Sequence, residues 1–254
     1  MTVSPYWNTT RIAIVRGNQK VRRLLLCVLA LMLLVTTGCA TKQKPGFQSP
    51  EDAARTYLEG LRDADFDRMV STFAGDKAKI ISEILQQYAV LFSMESGYYL
   101  PQNPQDIRDG RAAKDFITQI SKEQNAPKLS TLNVLGFIPL AKFSDFSPVL
   151  GGLKLPDSYF GEGAIDLLAK RAKENGADSI AGCIAAFELN ENVYLLVLDE
   201  YQYGDKWLIR QFGGFLASFM YLYAGWMGLV PLSVGGTDAG FEEDTFREMI
   251  ASME

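Results

Sequence analysis

Two side chains whose types suit proton transfer, Asp199 and Tyr201, lie in the stretch "NVYLLVLDEYQY", residues 192–203. Alternate residues of a β-strand point to the same face of its sheet. A carboxylate base would therefore lie beside a phenol donor, a pairing that acid–base catalysis can use. Such pairs also occur where a strand end faces water, which is the alternative interpretation. The stretch gives two catalytic candidates and leaves both interpretations open.

The residue types that usually accompany such chemistry are missing from the sequence. The 254 residues include no histidine, which removes the commonest metal ligand and the histidine-dependent nucleophile systems. Cys27 and Cys39 belong to the N-terminal apolar region, and Cys183 stands alone in "SIAGCIAAFEL". An isolated cysteine in such a setting is usually a small buried hydrophobe. We expect no metal, no cofactor and no intrachain disulfide.

The charge of the chain is distributed unevenly. Five of the 25 basic residues precede Cys39, whereas all 30 acidic residues follow it, so the net charge from Cys39 onward is −10. Binding to nucleic acid needs a basic face that can neutralise phosphates. The charge balance therefore argues against nucleic acid as a partner.

Residues 1–38 follow the three-part plan of a secretory signal peptide. Residues 1–23 are basic and contain no acid, residues 24–35 carry no charge, and the small residues Thr36, Thr37 and Gly38 lead to Cys39. As a helix the apolar run spans roughly 18 Å, which is short of the roughly 30 Å hydrocarbon core of a bilayer. A cleaved leader is therefore favoured over a transmembrane helix.

The end of this leader resembles the lipobox of bacterial lipoproteins. The resemblance implies cleavage between Gly38 and Cys39 and a lipid on the Cys39 sulfur that anchors the protein to a membrane of the cell envelope. With Ala40 as the next residue, it implies the periplasmic side of the outer membrane in a bacterium that has two membranes. The chain departs from the pattern at Thr36, where the family usually has a branched aliphatic residue. A plain secretory leader and an uncleaved anchor are the alternatives.

Helices are predicted through much of the chain after a tether at residues 39–48. The first begins with Ser49 as N-cap, Pro50 at the first helical position, and the acids Glu51 and Asp52 in the first turn. Apolar residues at helical spacing predict further helices near residues 66–73, 81–92, 113–120 and 165–172. Gly176 is placed to end the last of them.

Three segments predict an antiparallel sheet: "IAGCIAAFEL", "NVYLLVLDEYQY" and "KWLIRQF" are rich in strand-forming residues. They are separated by "NE" and "GD", which predict tight turns. The middle strand is apolar on both faces up to Leu198, so we expect both faces to be covered there. Residues 125–161 are rich in Gly, Pro and aromatics without a sustained period, which predicts an irregular segment with one short strand.

The capped helix pair "SPEDAARTYLEGLRDADFDRMVSTFA" and a sheet that ends in "YGDKWLIRQF" resemble the nuclear transport factor 2-like superfamily, which has a cystatin-like α+β cone. The resemblance implies an α+β fold in which N-terminal helices pack on a bent antiparallel sheet. The predicted organisation is a signal peptide (1–38), a tether (39–48), a cone-like domain (49–237) with an insertion around 97–162 and an apolar C-terminal extension, and an acidic tail (238–254).

The function that these features favour is non-enzymatic binding by a membrane-anchored module. The partner would be an envelope protein or an apolar small molecule, and the predicted pocket or interface residues are Phe66, Phe73, Tyr201, Tyr203 and Trp207. The alternative for each aromatic side chain is a place in the core.

Two other functions remain open. The superfamily includes ketosteroid isomerase, which uses Asp and Tyr side chains in an apolar cavity, so Asp199 and Tyr201 could serve an enzyme. Residues 211–237 carry no charge and would be long enough for a C-terminal transmembrane helix. Several glycines and Pro231 interrupt that stretch, and an acidic tail follows it, which favours a buried or partner-covered segment.

Overall fold

The computed structural model describes residues 46–96, 106–123, 126–139, 162–213, 227–231, 247–248 and 250–252. Residues Pro45–Glu254 form one compact unit. The predicted signal peptide, Cys39 and most of the predicted tether lie outside the described residues. So do residues 97–105, 140–161 and 214–226, and most of the predicted acidic tail.

The fold is α+β, which confirms the predicted class. The helices in the described ranges are α1 (Pro50–Arg62), α2 (Phe66–Ser71), α3 (Lys77–Ser96), α4 (Gly110–Ile120) and α5 (Glu162–Glu174). The strands in these ranges are β1 (Asn133–Pro139), β2 (Ser179–Leu189), β3 (Asn192–Tyr203), β4 (Lys206–Phe212) and β5 (Leu229–Pro231). A short 3-10 turn, Leu129–Thr131, leads into β1.

Helix α1 begins as the sequence predicts. The Ser49 hydroxyl accepts a hydrogen bond of 3.1 Å from the backbone N–H of Asp52, which satisfies one of the N–H groups that have no partner inside a helix. One face of α1 is fully buried against the sheet and the neighbouring helices; its residues are Ala53, Ala54, Tyr57, Leu58 and Leu61. The cap and the apolar stripe together fix where α1 starts and which face it buries.

The sheet has the strand order β1-β2-β3-β4, and every pair in it is antiparallel. Strand β5 pairs with the first half of β3 through Tyr194–Leu196, while β4 pairs with the second half. The predicted turns are confirmed: Asn190 and Glu191 have φ of 49° and 70°, and Gly204 has φ of 70°. Strand β3 is therefore hydrogen-bonded along both of its edges.

Both faces of the sheet are covered around β3, as predicted. On the face that packs against α1–α4, which we call the inner face, Leu196 and Leu198 belong to the main core. On the opposite, outer face, the side chains of Val193, Leu195 and Val197 are also buried. Near the C-terminus, Ile250 lies so close to β1 that a Cβ on Gly136 would be 2.1 Å from its Cγ2 atom.

Part of the predicted insertion belongs to the domain itself. Strand β1 pairs with β2 from Asn133 opposite Glu188 to Pro139 opposite Cys183, so the short strand expected in this irregular region is an integral strand of the sheet. Helix α4 contributes Phe116 and Ile117 to the core. Residues 97–105, 124–125 and 140–161 of the predicted insertion lie outside the described part of the chain.

Two glycines of the uncharged C-terminal segment, Gly213 and Gly228, bond to the same residue of β3. The Gly213 N–H donates to the carbonyl of Val197, and the Val197 N–H donates to the carbonyl of Gly228, both at 2.9 Å. Most of residues 211–237, the predicted transmembrane alternative, lie outside the described residues, so that alternative stays a prediction. No helix in the described part of the chain is long and apolar enough to span a membrane.

The close approach of Gly228 to Val197 predicts a difference between two glycine substitutions. Gly228 has φ of 73°, and a Cβ there would lie 2.7 Å from the Val197 carbonyl oxygen. Gly176 has φ of 65°, and a Cβ there would meet nothing within 4 Å. Gly176→Ala should cost about 1 kcal/mol of unfolding free energy for the left-handed conformation, and Gly228→Ala about 1–3 kcal/mol more for crowding. Urea denaturation measures both; equal losses would contradict the close approach at Gly228.

Candidate functional site

The predicted catalytic pair lies on the outer face of β3 and is buried. Asp199 is 1% exposed and Tyr201 is 3% exposed, so the interpretation that both face water at a strand end is wrong. The side-chain amide of Gln211 donates to the Asp199 carboxylate at 2.7 Å. Burial, followed by the charge of Asp199, raises the pKa of the Tyr201 phenol, while Arg171 and Arg210 oppose that shift. The two side chains share a face as predicted, and their catalytic role stays a prediction.

A β-bulge in β4 places Gln211 opposite Asp199. Asp199 pairs with Gln211, but the next residue, Glu200, pairs with Ile209, so Arg210 is an extra residue between them. The Arg210 guanidinium donates to the carbonyl oxygen of Ala74 at 2.9 Å. The extra residue allows Ile209 and Phe212 to share the inner face while Gln211 stays on the outer face beside Asp199.

The five aromatic residues predicted to form a pocket or interface lie in different places. Phe66 and Phe73 are in the main core, and the Phe73 ring packs edge-on against Tyr57 and Phe212 at centroid distances of 5.8 and 5.2 Å. Tyr201 is on the outer face. Tyr203 and Trp207 are half-buried near the turn between β3 and β4. The core interpretation therefore describes Phe66 and Phe73, and a pocket or interface that involves the other aromatic residues stays a prediction.

The lone cysteine of the folded domain is buried, as its sequence setting predicts. Cys183 is 1% exposed on the inner face of β2. Burial raises the pKa of its thiol well above the ordinary value, and the charges of Glu200 and Glu51 raise it further. The thiol form is therefore favoured, which argues against a reactive thiolate.

Glu200 is the residue that the sequence pattern did not single out. It is 0% exposed, and within the described part of the chain neither of its carboxylate oxygens has a hydrogen-bond partner. Cross-strand pairing with Ala181 on β2 and Ile209 on β4 places it on the inner face. A buried polar group without a partner costs about 1–3 kcal/mol, and more when it is charged. Such groups in a native fold call for an explanation, such as strain, a redox or catalytic role, or an ordered water or ion.

The surroundings of Glu200 disfavour its ionised form. Burial raises the pKa of the Glu200 carboxyl well above its ordinary value, and the negative charges of Glu51 and Asp199 raise it further. Cys183 is its diagonal neighbour on β2, because Ala181 pairs with Glu200 and Cys183 with Leu198. We call Glu200, Cys183, Glu51, Ala181 and Ile209 the inner-face acid site.

A metal ion does not fit this site as it is described. The part of the chain that the structure describes contains no group of three or more His, Cys, Asp or Glu side chains placed to hold a metal. What the site offers instead is a carboxyl group in a largely apolar setting, and neither of its oxygens accepts a hydrogen bond from the described residues. That arrangement suits recognition of a hydrogen-bond donor.

Comparison with known proteins adds no evidence about the function of the chain. No protein-family model matches the chain, and no curated protein matches it. Among solved structures, it is similar to the crystal structure of a cystatin-like protein from Ruminococcus gnavus, at 16% identity and a TM-score of 0.35. The match covers 71% of this chain and 44% of that one, so the chain spans less than half the length of that protein. A likeness at this level carries no argument about function.

The raised pKa of Glu200 predicts how stability depends on pH. Because the folded-state pKa lies above the ordinary value of 4.5, the folded protein binds the proton more tightly than the unfolded chain does. This contribution to stability is fully present below about pH 4.5 and is lost as pH rises towards the folded-state pKa. Glu200→Gln, which cannot ionise, should therefore gain stability relative to the wild type as pH rises from about 4.5 to about 8.

Urea denaturation at several pH values measures that difference. Glu123→Gln is the matched control, because Glu123 is exposed and its substitution removes the same charge. A constant difference between wild type and Glu200→Gln across this pH range would contradict a raised folded-state pKa.

Proposed function

We propose that the protein is a lipid-anchored component of the bacterial cell envelope whose folded domain binds a partner or small molecule and does not catalyse a reaction. The leader that ends at Cys39 supports the anchor, because it joins a short apolar run to the small residues and cysteine of a lipobox. The acidic charge balance after Cys39 supports a partner other than nucleic acid.

The start of the folded domain fits a short tether. Phe47 and Trp207 exchange two backbone hydrogen bonds, of 3.0 Å from the Phe47 N–H and 2.8 Å from the Trp207 N–H. The chain from Cys39 to Phe47 reaches at most roughly 27 Å when fully extended, at about 3.4 Å per residue. With a lipid on Cys39, the start of β4 would therefore stay close to the membrane surface.

The single observation that carries the binding role is the fully buried carboxyl of Glu200 on the inner face, to which the described residues donate no hydrogen bond. The outer-face pair supports binding over catalysis. A general base must reach the proton that it removes, whereas the Asp199 carboxylate is buried and already accepts a hydrogen bond from Gln211.

Lipid anchoring predicts the mass and location of the mature protein. The N-terminal peptide should begin at Cys39 and carry the mass of a diacylglycerol group, which mass spectrometry of membrane-purified protein measures. Cys39→Ser should release the protein from the membrane fraction or block its processing. Cys27→Ser is the control, because Cys27 lies in the predicted leader and its substitution should leave both mass and location unchanged. An unmodified N-terminus would overturn the anchor.

The binding role has its own test. Native mass spectrometry and crosslinking of the full chain in its membrane should reveal a bound small molecule or a specific partner. A chain that carries neither would count against a binding module, even with the lipid on Cys39 in place.

A further inference from the structure

We propose that the inner-face acid site binds the ammonium group of a small organic cation through the carboxylate of Glu200. This inference rests on the proposed binding role and names the class of ligand.

The first step is the need for hydrogen-bond donors. Both oxygens of Glu200 are buried, and the described residues provide a donor to neither of them. An ionised carboxylate has about four acceptor positions, and a primary ammonium group offers three N–H donors. One ammonium group can therefore satisfy both oxygens, which a single hydroxyl donor cannot do.

The second step is the sign of the charge. Glu51 and Asp199 are the charged groups that act on Glu200, and both are acidic. Cys183 adds a thiol from β2, while Arg210, the bulge residue of β4, directs its guanidinium to the carbonyl of Ala74. The acidic groups repel an anion and favour a cation. A bound cation would also compensate the buried charge, which is costly when it stays unpaired.

The third step separates an organic cation from a metal ion. Calcium takes six to eight oxygen ligands and magnesium keeps near-octahedral geometry, whereas the described residues contain no cluster of metal-binding side chains. The cross-strand neighbours of Glu200 are Ala181 and Ile209, which offer contacts to methylene groups. A primary alkylammonium ion matches both the carboxylate and these apolar neighbours.

The fourth step is access. Ala181, directly opposite Glu200, and Gly182, the next residue of β2, are both partly exposed. Solvent therefore reaches β2 one strand away from the buried carboxyl.

Calorimetric titration of the full chain in detergent with n-butylammonium chloride tests the proposal. We expect saturable binding, with no comparable binding of n-butanol, sodium butyrate or sodium chloride at the same concentrations. Glu200→Gln should weaken binding roughly ten- to a hundredfold, as expected for the loss of a charged hydrogen-bonding partner. Glu123→Gln, which removes an exposed charge, should leave binding unchanged.

A second readout uses the wild-type protein alone and does not depend on how the variant folds. Because burial keeps Glu200 protonated to a higher pH than usual, ammonium binding should displace a proton into the buffer. The binding enthalpy measured at one pH in phosphate and in HEPES, neither of which contains a primary ammonium group, should therefore differ by the number of protons released multiplied by the difference in the two ionisation enthalpies.

Three results would overturn the proposal. They are the absence of butylammonium binding, binding that Glu200→Gln leaves intact, and equal enthalpies in the two buffers. If any of these results were found while the lipid was still on Cys39 and a partner was still bound, the proposal of an organic-cation ligand would be wrong. The proposed function as a membrane-anchored binding module would still be supported. Binding of sodium ions or of butanol equal to that of butylammonium would likewise contradict an ammonium site.

Discussion

Strand β3 is the constraint on which the rest of the structure depends. It pairs with β2 along its length and shares its other edge between β4 and β5. Its side chains from Val193 to Tyr201 are buried on both faces. Backbone groups in such a position must be hydrogen-bonded within the protein, so each neighbouring segment has to reach β3 in a fixed register. The helices and the C-terminal residues then pack against the two faces of the sheet, which has β3 as its central strand.

Because β3 is buried on both faces, its adjacent acids Asp199 and Glu200 lie in two different buried environments. Asp199 and Glu200 point to different faces of the same sheet. On the outer face, the bulge at Arg210 brings an amide donor to Asp199. On the inner face, Ile209 lies across from Glu200 and its side chain offers no donor. Asp199 is therefore part of the hydrogen bonding within the fold, whereas the carboxyl of Glu200 has no hydrogen-bond partner among the described residues.

Local signals in the sequence predict the helices, strands and turns well. The features that they do not predict depend on contacts between residues far apart in the sequence. The cap at Ser49 and the turn at Asn190 and Glu191 depend on residues only a few positions apart, so their patterns are sufficient. The burial of Asp199 and Tyr201 depends on contacts from elsewhere in the chain. Gln211 reaches Asp199 only through a bulge, and the pairing of β5 with β3 joins segments far apart in sequence.

The burial of Glu200, the main residue of the candidate site, is likewise not predictable from the sequence pattern alone. A glutamate that follows a strand apolar on both faces suggests the point where the strand emerges into water. Its burial follows from Ile209 across the sheet and from the helical layer on the inner face, and neither can be aligned with Glu200 by periodicity alone. The available signal was the tight "GD" turn, which pairs the end of β3 with the apolar residues of "KWLIRQF".

The pairing of Phe47 with Trp207 also determines how the domain would respond to mechanical load. Tension on the chain before Gly46 would act first on the two hydrogen bonds between Phe47 and the edge of β4 that faces away from β3, before it reached the capped start of α1 at Ser49. On the same edge of β4, the Ile209 N–H donates to the carbonyl of Thr72, and the Ala74 N–H donates to the carbonyl of Ile209. Pulling would thus detach a peripheral contact while the central strand and its buried acids remained in place.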